Sequence, residues 1–194
     1  MKYLTVVRHA KSSWDQPGLA DHDRPLNARG LRAVPAVATF LNQTYFGAAE
    51  STEPLLSKPD RLITSTAARA LATAQVFRET LNLPIDSLLL QSSLYLASAE
   101  KVLRVVQAMD ENWGHAMIFG HNPGLHEFCD HILARANVQR MPTCTAVLIG
   151  FPLEYWGEAD WNTAQLIGLI TPKTLEKRFP SVYQGISRAD DPPD

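Results

Sequence analysis

Short apolar runs alternate with helical patterns along most of this chain, and each run stops at a polar cluster. That alternation predicts an α/β sheet, mostly parallel, because parallel neighbours need a crossover element between them. Residues 3–7 are β-branched and aromatic and read as a buried strand. Further strands are expected at 61–64, 85–90, 116–119, 146–151 and 164–170.

Between the strands lie the helices. A polar loop from about Lys11 to Leu26 leads to Asn27, a suitable N-cap. Leu31, Val34, Ala38 and Leu41 then recur at helical spacing, with Pro35 inside the pattern, so a kink or a late helix start is expected. Ser65-Thr66 is placed to cap a helix running to about Leu81. A third helix spans Ala99 to Asn112, with Val102, Leu103, Val106 and Met109 on one face. Pro123 suits the first turn of a fourth, reaching about Arg135, and residues 172–179 form a short fifth. Residues 45–59 read as a loop insertion, and the Asp/Pro tail after 188 as frayed.

The 194 residues suit one domain, 1–194. A formal net charge of −2 with interspersed signs offers no basic stripe for nucleic acid. No apolar run approaches the roughly 18 residues of a membrane span, and the first run is too short for a signal peptide. With two cysteines, Cys129 and Cys144, and no disulfide framework, the expected location is cytoplasmic. His126, Glu127 and His131 do not make a helical zinc motif. Histidines five apart diverge by about 140° around a helix, where four apart diverge by about 40°.

In α/β sheets ligands collect beyond the carboxyl ends of the strands. Three such ends hold the chemistry: Arg8-His9, Ser65–Arg69 and Gly120-His121-Asn122. Two Arg and two His suit phosphoryl transfer without a metal. A planar guanidinium grips two oxygens of a phosphoryl group carrying about two negative charges. A neutral imidazole is a competent nucleophile, and a second, protonated imidazole would stabilise the charge that develops.

Three segments carry a family resemblance. Val6-Val7-Arg8-His9-Ala10 resembles the Arg-His signature that opens the histidine phosphatase superfamily. The run from Ser65 to Ala74 is similar to its second motif, with Arg69 early in a helix, and Phe119-Gly120-His121-Asn122-Pro123 to its third. The resemblance spans nearly the whole chain. It implies a three-layer sandwich with a central sheet flanked by helices (phosphoglycerate mutase-like). It further implies His9 as the nucleophile that becomes phosphohistidine, and Arg8, Arg69 and His121 around the phosphate. Ser12 and Asn122 are further candidate phosphate donors. No cofactor and no metal are implied.

The stretch Arg8 to Trp14, then Asp21-His22-Asp23-Arg24-Pro25-Leu26 and Leu94-Tyr95-Leu96-Ala97-Ser98, resembles the SixA-type phosphohistidine phosphatases. On that likeness Arg24 faces the pocket; the alternative is a loop salt bridge with Asp21 or Asp23. Ester-cleaving relatives usually carry an acidic residue after the third strand, where this chain reads Gln91-Ser92-Ser93-Leu94-Tyr95. An alkoxide needs a proton as its bond breaks, whereas imidazole is a far better leaving group. The expected substrate is therefore a phosphohistidine-bearing protein. Asp15, Asp21 or Asp23 reaching in from the loop would leave room for a small phosphate ester. A phosphoryl-binding module without activity is the third alternative. No individual partner and no oligomeric state is legible in the sequence.

Overall fold

A computed structural model describes residues 1–47 and 55–181. Its six strands are β1 (Lys2–Arg8), β2 (Arg61–Thr64), β3 (Leu88–Leu90), β4 (His115–Gly120), β5 (Ala146–Phe151) and β6 (Gln165–Ile170), in the order β3-β2-β4-β1-β5-β6. β1, β4, β2 and β3 pair in parallel, and β5 pairs antiparallel with β1 and β6. Only β5 runs against the rest, so the mostly parallel α/β expectation is met.

Alternating side chains give each face of the sheet its own core. Leu4 and Val6 of β1 face α3 (Ala99–Gln107) and α4 (Gly124–Ile132), packing with Val102, Val106, Phe128 and Ile132. Val7 faces the other way, toward α1 (Ala28–Leu41), α2 (Ala68–Thr80) and α5 (Pro172–Arg178). Phe77 of α2 meets Phe119 of β4 edge-on at 5.2 Å between ring centres. Truncating such a fully buried ring costs about 3–5 kcal/mol.

Several local expectations change. Asn27 does cap α1, its side chain accepting from Gly30 N at 2.9 Å, and the helix starts there and runs through Pro35. Leu31 is exposed, because the buried stripe centres on Gly30, Ala33, Val34, Val37 and Leu41 and leaves it on the flank. Ser65-Thr66 does not cap α2. The N-cap is Ala67, without a side-chain bond. Residues 85–87 form a 3₁₀ turn before β3, α3 stops at Gln107, and α4 stops at Ile132.

Of the insertion at 45–59, Tyr45 and Phe46 belong to a π-helical turn that extends α1, and Phe46 and Leu56 are buried; residues 48–54 lie outside the described residues, as does the tail after 188. Among the described residues no helix is long and apolar enough to cross a membrane.

Candidate active site

β4 lies between β1 and β2, so three adjacent strands end side by side. Arg8 pairs with Gly120 and Thr64 with Phe119, which puts His9, His121 and Ser65 one step beyond the sheet. Backbone bonds hold that step: His9 N donates to Gly120 O at 3.0 Å and Ser65 N to Phe119 O at 2.9 Å. Arg69 enters from the first turn of α2, whose uncapped N-terminus opens here. Thr73 ties that helix to β1, accepting from Ala10 N at 3.1 Å and donating to Arg69 O at 2.7 Å. Gly30 brings α1 onto the same loop; a β-carbon there would stand 2.3 Å from Lys11 O.

His9, Arg69 and His121 are all buried. Arg69 Nε donates to His9 Nε2 at 3.3 Å, and Arg69 Nη2 lies 3.4 Å from His121 Nδ1. A guanidinium only donates, so both ring nitrogens facing it are lone pairs. The opposite nitrogens then carry the protons. His9 Nδ1 donates to Ala10 O at 2.7 Å, and His121 Nε2 donates to Ser65 Oγ at 2.9 Å. Burial, then the nearby cations, lower His9 to about 4 despite the Ala10 bond. Burial, then the charges of His9 and Arg69, lower His121 to about 3. The second imidazole, expected to be protonated, is thus held neutral here.

The loop between β1 and α1 sends in Asp21. Arg69 Nη2 reaches its Oδ2 at 2.9 Å, Arg24 Nη1 its Oδ1 at 3.0 Å, and Tyr95 donates to Oδ2 at 2.9 Å. Arg69 Nη1 also donates to the Asp21 carbonyl. Partial desolvation pushes the Asp21 carboxyl up. The bonds from Tyr95 and Arg69 outweigh it and leave the group at about 2. Arg24 makes its salt bridge with Asp21, and the same side chain donates to Ser12 Oγ at 2.8 Å and stacks on Trp14. Ser12 is thereby engaged from the loop side. Asp15 bonds Ser13, and Asp23 bonds His22.

Arg8 and Asn122 turn to a different partner. Arg8 Nη1 and Asn122 Nδ2 both donate to Met141 O, at 2.8 and 3.1 Å, and both line a neighbouring cleft of about 850 Å³. Burial lowers the pKa of Arg8. Of the expected four, the structure gathers His9, Arg69 and His121 in direct contact and sets Arg8 beside them.

Residues 4–88 match the model of the histidine phosphatase superfamily (branch 1). Over those residues the chain is similar to this superfamily. An uncharacterized chloroplastic protein of Arabidopsis thaliana is 29% identical over 184 residues, covering 87% of this chain and 77% of the relative. The Agrobacterium tumefaciens protein assigned as phosphohistidine phosphatase SixA superposes with TM-score 0.70 at 22% identity, over 88% of this chain and 98% of that one. A protein histidine phosphatase SixA complexed with tungstate gives TM-score 0.69 at 18% identity, over 89% and 99%. A mycobacterial glucosyl-3-phosphoglycerate phosphatase gives 0.55 at 13%, over 86% and 97%. At these identities the structural likenesses establish the shared fold.

Two residues of this candidate site were not singled out from the sequence. Ser65 reads there as a cap, and its position one step past a strand end is the signal that was available. Tyr95, edge-on to the His121 ring at 5.5 Å, lies within the SixA-like stretch but has no local pattern of its own. His22 bonds Thr66 Oγ1 at 3.0 Å and so braces the Asp21 loop. His126 bonds the Val138 carbonyl while His131 meets Trp161 edge-on, so the two turn to different partners.

Proposed function

We propose that this chain is a phosphatase that removes phosphoryl groups from histidines of other proteins, with His9 as nucleophile. The observation that carries the reading is the state of Asp21. It is the carboxylate that reaches Arg69, and its clamp by Arg69, Arg24 and Tyr95 holds it at about 2. A group ionised at neutral pH has no proton to give an alkoxide. A phosphohistidine whose second ring nitrogen is protonated departs as neutral imidazole and needs none.

The lone pair on His9 Nε2 would attack phosphorus in line, forming the Nε2–P bond as the substrate's N–P bond breaks. Arg69 would meet the equatorial oxygens. The incoming dianion would favour the charged form of His121 over the neutral one by opposite charge. Arg8, Ser12, Arg24 and Asn122 stand around this centre as candidate phosphate and positioning groups. Water would then displace His9. Because Nδ1–H already points at Ala10 O, His9 leaves neutral as well. No metal is used in these steps. The likeness to the SixA proteins, one of them complexed with the oxyanion tungstate, supports the substrate class. The buried free thiols Cys129 and Cys144 suit the reducing cytoplasm we assign to it.

The test is phosphate release from a phosphohistidine protein, with acid-labile label trapped on the enzyme. His9→Ala should abolish both. Equal release by that variant, or phosphate-ester turnover well above phosphohistidine turnover, would overturn the reading.

A further inference from the structure

The cleft beside Arg8 carries a charge pattern that the proposed chemistry does not use. Arg8, Lys11, Arg29, Arg140 and Lys173 line it, and no Asp or Glu does. The whole chain has a formal net charge of −2, so five cations on one wall are a segregation of charge and not a reflection of composition. Lys11, Arg29, Arg140 and Lys173 are exposed and make no ion pair among the described residues. The other side of His9 differs, because Asp21 there pairs with both Arg24 and Arg69 and offsets one of their two charges. Like charges collected without counter-charges repel one another, and an anionic partner relieves that repulsion. The floor, with Met141, Pro142 and Leu169, adds apolar contact.

We infer that this cleft docks an acidic segment of the phosphoprotein, lying next to its phosphohistidine. The inference rests on the phosphohistidine reading and names the partner's surface. Two features favour a protein segment over a small anion. The cations other than Arg8 are exposed on the rim, where charges steer and orient a partner without enclosing it. Arg8, which lines the cleft, precedes His9 in the chain and acts on it electrostatically, so residues flanking a phosphohistidine seated at His9 would extend toward this wall.

The experiment compares two phosphohistidine peptides of identical core, one flanked by Glu and Asp and the other by Gln and Asn. Both are given to the full-length protein and to R140E/K173E. The unaltered protein should prefer the acidic peptide by about tenfold in kcat/KM at low ionic strength, and the preference should vanish near 0.5 M salt, where screening is short-ranged. R140E/K173E should lose the preference while turning over the neutral peptide within about twofold of the unaltered rate, since neither residue touches His9. Absence of preference in the unaltered protein, or a preference that survives the double substitution, overturns the inference and leaves the phosphohistidine reading standing. Equal loss on both peptides also overturns it. Release of phosphate from neither peptide overturns the phosphohistidine reading and this inference with it. If the double variant melts markedly lower, the salt dependence of the unaltered protein's preference decides alone.

Discussion

β1 and β4 lie side by side, and each end of the pair carries buried imidazole. At the start of β4, His115 is buried, lowered to about 4 by burial, and bonded at both nitrogens. At the far end, His9 and His121 are also buried and also lowered, to about 4 and 3. Burial and titration therefore do not separate structure from chemistry. The partners do. His115 contacts Thr5 Oγ1 at 2.9 Å and Ser57 O at 2.7 Å, both neutral oxygens that satisfy it fully. His9 and His121 turn their lone pairs to one guanidinium, for which a phosphoryl oxygen would compete under the function proposed above. On the proposed reading, the buried histidines that face a cation form the site, and the one that faces two oxygens is a core residue.

The contrast breaks most sharply at the two histidines that bracket β4. His121→Ala should cut kcat on a phosphohistidine peptide by about 1,000-fold with little change in thermal midpoint, as loss of a transition-state partner does. Arg69→Lys should cost about 100-fold, because an ammonium lacks the fork of donors that reaches both imidazoles and Asp21. His115→Leu should do the reverse. It should leave kcat within about twofold and lower unfolding free energy by roughly 2–4 kcal/mol in urea titration, since Thr5 and Ser57 lose their partner.

His115 also sets a pH signature. Below its ordinary value near 6.5 the unfolded chain takes a proton at His115, while the folded chain does so only near 4. Its contribution is therefore present above 6.5 and lost as pH falls toward 4. Between pH 7 and pH 5 the unaltered protein should lose roughly 2 kcal/mol more than His115→Leu. The smallest effect is expected at Asp21. Asp21→Asn should change kcat less than about fivefold, whereas removal of a general acid costs roughly 100-fold or more.

The strands and most helices were legible, because apolar periodicity records which face of each element is buried. Boundaries slipped where local signals misled. Ser65 looks like a cap by residue type, but its hydroxyl is taken by His121, a contact between residues 56 apart in sequence. Leu31 fits a helical spacing, yet only packing decided which stripe of α1 met the sheet.

Arg8, His9, Arg69 and His121 were marked from the sequence alone, because strand ends in an α/β sheet face the ligand side whatever the tertiary detail. The tertiary structure decided the rest. It brought Arg69 against both imidazoles and thereby fixed their tautomers, which no sequence encodes locally. It turned Arg8 and Asn122 toward the Met141 carbonyl, away from that contact. It chose Asp21 from three loop aspartates, binding it to two arginines and Tyr95, contacts that favour its anionic form. Protonation depends on neighbours brought together across the fold, and those neighbours are set by packing.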